Sequence, residues 1–347
     1  MRRIVAALSA VGLFAAGCSS DLPAAAPSPT PNATPSRTPT ATPKPPPRPA
    51  PPPVNPLTGL RGVPKRPVVA VKIDDTGSGR PQIGLEAADV VYVEQVEGGA
   101  TRLVAVYASR HPGTVGPVRS VRNNDPELLA SYGRPALAYS GGAGVPVARL
   151  RRSKVVDAGA QTRGGFYRRL GSRRAPYNLV VDLAGLARAV RGVSRPVDVG
   201  FRWARIDPRV TRARKVSRVS VTVGVTRKTF RWEPRSRRWQ LLNADGSVRR
   251  TASGRPIATP NVVIPFCRAR LDRSNVDVLG TPSVYTSTVG SGKVLIFRDG
   301  RVQSGTWWRR TPYTRTHYLD GKRKPLTLQP GGAWVLLAAV GAPVAFR

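Results

Sequence analysis

The stretch Asp89-Val90-Val91-Tyr92-Val93-Glu94-Gln95-Val96-Glu97-Gly98-Gly99-Ala100-Thr101-Arg102-Leu103-Val104-Ala105-Val106-Tyr107-Ala108 decides the fold. It holds two β-rich runs, 89–97 and 101–108, joined by Gly98-Gly99-Ala100. Branched and aromatic side chains suit a pleated, half-buried surface, and a Gly-rich break between two such runs signals a hairpin. On its N-terminal side, residues 67–74 (Pro-Val-Val-Ala-Val-Lys-Ile-Asp) read as a buried strand ending in a carboxylate. Thr76 to Pro81 is then a Gly-rich loop. On its C-terminal side, Asn123-Asn124-Asp125-Pro126-Glu127 opens a helix through Tyr132, with Asp125 as N-cap and Pro126 at the first helical position. Residues 135–140 suit another short buried strand, and 146–153 and 183–191 suit helices. Together these runs predict a mixed α/β domain over 57–200.

Beyond residue 201 the pattern changes. Short alternating runs occupy 217–224, 228–233 and 237–243, and further runs lie at 261–267, 293–297 and 333–338. Asn243-Ala244-Asp245-Gly246 and Arg298-Asp299-Gly300-Arg301 read as tight turns. This predicts a smaller, mostly β domain over 201–347, so the class is α+β. All six tryptophans lie in this half, where core and cross-strand packing is their expected role. Alternation leaves one of Trp307-Trp308 facing outward.

The first 56 residues carry a different kind of information. Met1-Arg2-Arg3 precedes an apolar or small stretch from Ile4 to Gly17 broken only by Ser9. It is shorter than the ~20 residues that span a bilayer, and its flanks are those of a secretory signal. Ala15-Ala16-Gly17-Cys18 reads as a lipobox, with Ala15 where Leu is usual. Residues 1–18 are therefore expected to be a lipoprotein signal peptide with Cys18 as the acylated residue. Residues 19–56 are rich in Pro, Ala, Thr and Ser, a composition that cannot bury apolar surface and favours polyproline II. They are expected to form a disordered stalk, roughly 100 Å long if extended at ~3.1 Å per residue. The protein is then held on the outer face of the cytoplasmic membrane by its lipid.

Charge narrows the partners. Lysine and arginine total 56 against 19 acids, a formal net charge of +37. Part of this reflects the excess of Arg, Ala, Gly, Pro and Val that GC-rich codons produce. The remainder suits attraction to anionic lipids, wall polymers or peptidoglycan. Nucleic acid is not an expected partner in this compartment, and a protein partner stays open. With Cys18 acylated, Cys267 has no intramolecular partner and sits in an apolar run as a core residue. His111 and His317 lie beside loop signals and are expected at the surface. The two histidines with the one free cysteine give no metal-ligand spacing; neither a metal nor an organic cofactor is expected, although carboxylates could still hold a hard cation.

Four motifs carry the candidate chemistry. They are Lys72-Ile73-Asp74-Asp75, Arg80-Pro81-Gln82-Ile83-Gly84-Leu85, Glu94-Gln95-Val96-Glu97-Gly98-Gly99-Ala100-Thr101-Arg102 and Gly116-Pro117-Val118-Arg119-Ser120-Val121-Arg122. Asp74, Glu94 and Glu97 are carboxylates at strand ends or inside apolar runs, where an unpaired charge is costly. Arg102, Arg119 and Arg122 are their natural partners, because the guanidinium fork matches a carboxylate. One reading is a structural ion-pair network. The other is a polar cleft in which Arg80, Arg102, Arg119 and Arg122 face a ligand anion and one of the three acids acts as a base.

These four motifs, in this order, resemble the YerB-like lipoprotein family, a bacterial family defined by a domain of unknown function. Its members show an Asp closing the first strand, an Arg-Pro-Gln-x-Gly-Leu loop, a Glu-Gly-Gly-x-Thr-Arg turn and a Gly-Pro-Val-Arg-Ser-x-Arg segment. Asn261-Val262-Val263 and Phe297-Arg298-Asp299-Gly300-Arg301, with Gly305-Thr306-Trp307, resemble its smaller C-terminal domain. The resemblance covers about 56–340. It implies an envelope lipoprotein with an N-terminal and a C-terminal domain, and supplies no reaction. Two functions are compatible with the residues: binding an anionic wall component, or acid–base chemistry on a wall glycan or its phosphodiester links with Glu94 and Glu97 as the acids.

Overall fold

The structure is a computed structural model and describes residues 53–277 and 280–347. In chain order the first half carries β1 (Val69–Asp74), β2 (Val90–Gln95), β3 (Thr101–Tyr107), α1 (Asp125–Leu129), β4 (Ala136–Ala138), α2 (Gly144–Arg151), β5 (Val156–Asp157), β6 (Tyr167–Arg169), β7 (Leu179–Val181) and α3 (Leu183–Ala189). The second half begins with α4 (Pro208–Thr211), β8 (Arg218–Val223), β9 (Thr226–Glu233), β10 (Arg238–Leu241), β11 (Ala258–Thr259), β12 (Asn261–Cys267) and β13 (Ala269–Val276). It ends with β14 (Pro282–Thr286), β15 (Gly290–Arg298), β16 (Arg301–Arg309), β17 (His317–Leu319), β18 (Ala333–Leu336), β19 (Ala338–Ala339) and β20 (Val344–Phe346). Strands dominate and the helices are short, which is an α+β fold.

The predicted hairpin forms between β2 and β3, with Gln95 opposite Thr101 and Glu94 opposite Arg102. β1 pairs antiparallel with the far side of β3. From there one sheet runs through both halves of the sequence in the order β17-β16-β15-β12-β18-β2-β3-β1-β4-β5, with β19 also on β12. The join is β18, parallel to β12 on one side and to β2 on the other. Its four residues are all buried, as befits a parallel strand covered on both faces. The described residues accordingly form one compact unit.

Each face of this sheet has its own core. On one face the small sheet β11-β10-β9-β8-β20 packs through Trp239, Phe230, Val219 and Val221 against Ile73, Leu103 and Phe297. The opposite core gathers Leu57, Tyr92, Leu128, Tyr132, Trp307 and Leu328. Burying a side chain of this size stabilises by about 1.5–3 kcal/mol. Both cores draw on both halves of the chain.

Several expectations need correction. The signal peptide, Cys18 and the Pro-rich segment up to residue 52 lie outside the described residues, but Val54 already bridges Arg61 and Asn55 is buried. The folded part thus starts before residue 57. Asn124 rather than Asp125 stands at the N-cap position of the first helix, with no capping bond from its side chain; Asp125 is the first helical residue and Pro126 follows. Asp125 is instead drawn to the backbone N–H of Arg122 and to Lys72. Neither histidine is freely exposed. His111 contacts the Pro67 carbonyl at 3.1 Å, and His317 stacks on Trp308 with ring centroids 4.0 Å apart. Trp308 is the outward member of its pair at 39% exposure, while Trp307 is buried.

Candidate functional site

Alternation along the strands puts Lys72 and Asp74 of β1, Glu94 of β2 and Arg102 of β3 on one face. The register makes Arg102 the cross-strand neighbour of both Asp74 and Glu94. The segment Gly116–Arg122 is laid along β1 by two backbone bonds, Asp74 N–H to Pro117 O and Arg119 N–H to Lys72 O, each 2.9 Å. This aims Arg119 and Arg122 at the end of the strands. Arg119 Nε lies 3.0 Å from Asp74 Oδ2, Arg102 Nη2 lies 3.7 Å from the same oxygen, and Arg122 contacts Glu97 at 2.5 Å. Arg119 also lies 5.3 Å from the ring centre of Tyr177.

Lys72 is a member of this cluster that sequence reasoning did not single out. It is fully buried, paired with Glu94 and hydrogen-bonded to Asp125 at 2.7 Å. Glu94 in turn accepts from Asn124 at 2.6 Å. Burial pushes the Lys72 ammonium down to about 8 against the pull of Asp125. A lone lysine inside a Val-rich strand was the available signal, because such a charge must find an acid. Burial raises the Glu97 carboxyl, but the hydrogen bond and charge of Arg122 more than offset this and hold it below its usual range. Burial and the positive charge of Arg102 lower Arg119. Four cations, Lys72, Arg102, Arg119 and Arg122, thus meet four acids, Asp74, Glu94, Glu97 and Asp125.

The second half of the chain closes over this cluster. Asn123 donates to Asp272 at 2.7 Å and to Ser274 at 3.0 Å on β13. Glu127 of α1 accepts from the Tyr285 hydroxyl at 2.6 Å and from the backbone of Thr288 at 2.7 Å. The acids therefore lie under the β13–β14 hairpin.

Arg80 is not brought to the other three candidate arginines. Its Nη2 donates to the carbonyl of Asp75 at 3.0 Å. Asp75 follows the last residue of β1, and its carboxylate pairs with Lys228 of β9, which is fully buried, and with Arg249 at 3.3 Å. It also accepts from Thr101 Oγ1 at 2.6 Å. Burial raises the Asp75 carboxyl, yet Lys228 and Arg249 together hold it below the ordinary value. Burial pushes Arg249 down to about 10, opposed by Asp75 and reinforced by the charge of Arg80. Here three cations surround one acid. Arg80 and Arg249 line an open cavity of about 820 Å³ on the small sheet, within the roughly 300–1,000 Å³ range of ligand pockets. Neither Lys228 nor Arg249 belongs to a motif that marked it from the sequence.

Among the described residues no group of His, Cys, Asp and Glu side chains is placed to hold a metal ion, and no helix is long and apolar enough to cross a membrane.

Two family models match this chain. The model described as Protein of unknown function (DUF3048) N-terminal domain matches residues 57–194, and that of the DUF3048 C-terminal domain matches 219–335. The chain belongs to the DUF3048 family. It is 26% identical over 295 residues to a Bacillus subtilis protein named "Putative lipoprotein YerB", covering 81% of this chain and 84% of the relative. The crystal structure of the Bacillus subtilis YerB protein superposes with a TM-score of 0.69 at 21% identity, over 84% of this chain and 99% of that one. That structure shares the fold.

Proposed function

We propose that this chain is a lipid-anchored envelope protein that binds an anionic component of the cell envelope. The lipoprotein name of the relative, together with the lipobox at Cys18, supports an anchor there and a position on the outer face of the cytoplasmic membrane. The net charge of +37 supports an anionic partner. The single observation that carries the reading is the excess of positive charge around Asp75, where Lys228 and Arg249 share its carboxylate and Arg80 donates to its backbone carbonyl beside an open cavity. A buried charge without a partner costs several kcal/mol, so such a site favours a bound anion. The binding reading therefore rests on Arg80 rather than on Arg102, Arg119 and Arg122, whose charges are matched within their own cluster.

The alternative, acid–base chemistry by Glu94 and Glu97, draws less support. Glu94 has no exposed side-chain surface and is held by Lys72 and Asn124, and Glu97 is held by Arg122. A general acid or base needs reach to a substrate proton.

The test is binding of the full chain in detergent to purified wall and lipid fractions across a salt series. Arg80→Gln and Arg119→Gln would run beside it. Loss of a charge-assisted hydrogen bond is worth about 1.5–3 kcal/mol, so Arg80→Gln should bind at least tenfold more weakly. Arg119→Gln, provided it stays folded, should bind as the parent does. Equal binding by all three would discard the reading.

A further inference from the structure

The cavity beside Asp75 has a shape and a lining that narrow its occupant. This inference rests on the anion-binding reading above and concerns what lies beyond Arg80 and Arg249. Strand alternation turns Arg218 and Ser220 of β8 and Arg227 and Thr229 of β9 to the outer face of the small sheet, where they line the cavity together with Arg347. No acidic side chain lines it. Arg218, Arg227 and Arg347 form no ion pair among the described residues, and Arg227 is exposed. At the inner end, the Nε of Arg80 is buried and has no hydrogen-bond partner.

Five guanidinium groups around one open groove exceed what a single small anion can neutralise. They call for a chain with charges at intervals. Between them stand the hydroxyls of Ser220 and Thr229, 2.9 Å apart, and Thr226. Such groups donate to and accept from the hydroxyls of a polyol. Single-stranded nucleic acid would need free aromatic faces for its bases. The one aromatic residue of the lining, Phe346, is already packed against Phe297 and covered by Arg214. Guanidinium forks match phosphate oxygens bidentately.

We propose that this groove binds a phosphodiester-linked polyol chain of the envelope. Arg80 and Arg249 hold one phosphate at the inner end, and Arg218 and Arg227 hold the next along the outer face of the small sheet. No covalent step is involved.

The experiment is titration calorimetry of the full chain in detergent with three probes: a short poly(glycerol phosphate) oligomer, inorganic phosphate, and phosphatidylglycerol vesicles. The variants are the double substitution Arg218→Gln with Arg227→Gln, and Arg227→Glu alone, both on surface positions of folded strands. The oligomer should bind at least tenfold more tightly than inorganic phosphate. The double variant should lose tenfold or more and flatten the dependence of log Kd on log salt by about 0.7–0.9, as expected for one phosphate no longer neutralised. Arg227→Glu should lose at least as much as neutralising that one position. Unchanged oligomer binding in both variants would overturn the groove. So would parent protein that prefers vesicles to the oligomer, because the source is then a lipid headgroup. Parent protein that binds wall fractions through Arg80 but ignores the oligomer would overturn only the polymer. Parent protein that binds no envelope fraction at all would remove the underlying reading as well.

Discussion

Lys72 shows what a single residue can reveal and conceal. It stands in a run of Val, Ala and Ile, and the structure places it in the core between Glu94 and Asp125. Removing one side of a buried charge pair strands the other, at about 3–5 kcal/mol. Lys72→Met is therefore expected to lower unfolding free energy by that order in urea denaturation. Adding Glu94→Gln should return part of the loss, because one stranded charge is then removed. If Lys72→Met is as stable as the parent, the ion pairs are not a structural element of the fold. Cys267 offers a second check at this scale. It is 1% exposed, and burial, with the nearby Glu127 charge, pushes its thiol well up. The thiolate is the reactive form, so a thiol reagent should leave Cys267 unmodified in the folded protein and label it only under denaturant. Rapid labelling without denaturant would contradict this burial.

Elements meet through their turns. Gly98-Gly99 closes the β2–β3 hairpin, and its partner is another turn, at the tip of the β8–β9 hairpin. Val225 N–H donates to Gly99 O at 2.9 Å, and a Cβ on Gly224 would stand 2.1 Å from that same oxygen. Gly224 has φ +62°, a region that costs a non-glycine residue of order 1–3 kcal/mol when held there. Gly224→Ala should thus lower stability by at least that amount, measured as a shift of the denaturant midpoint. A neutral result would mean that the two hairpin tips do not touch. The short helix α4 likewise depends on the residue that caps it, Asp207. Asp207 accepts from the backbone of Arg209 at 2.9 Å, pairs with its guanidinium at 2.9 Å and accepts from Thr327 at 2.7 Å. Losing such a cap costs about 1–2 kcal/mol, the expectation for Asp207→Ala.

At the scale of the whole molecule, acid should loosen the fold from its charged centre. Asp75 and Glu97 are both held below their ordinary values of 3.8 and 4.5, because cations outweigh the cost of burial. A carboxyl whose folded value is depressed stabilises fully above its unfolded value, and that contribution is lost as pH falls through the folded one. Tm should therefore decline modestly between about pH 7 and 5, where burial disfavours the charged forms of His111 and His317, and fall further as pH drops below the ordinary carboxylate values. A Tm that rises below pH 4 would mean that the ion pairs oppose folding. Both acids sit where the two halves of the chain meet, so the loss should appear as one transition followed equally by tryptophan fluorescence and by circular dichroism.

The sequence by itself determined the parts whose signal is local. The hairpin around Gly98-Gly99, the strand ending at Asp74, the alternating strands beyond 217 and the buried Cys267 are each read within a dozen residues. Period and turn chemistry act over that range. The association of Asp74 and Glu97 with Arg102, Arg119 and Arg122 was also legible as a set of charges needing partners. Tertiary structure alone decided who pairs with whom. Alternation reports that a face is buried, not what buries it, so nothing marked Ala333–Leu336 as the strand that would enter between β12 and β2. Asp75 finds Lys228 and Arg249 across 153 and 174 residues of sequence. A charge pair formed over such separations leaves no periodic trace, because its energy depends on distance in space, which only the closed sheet defines.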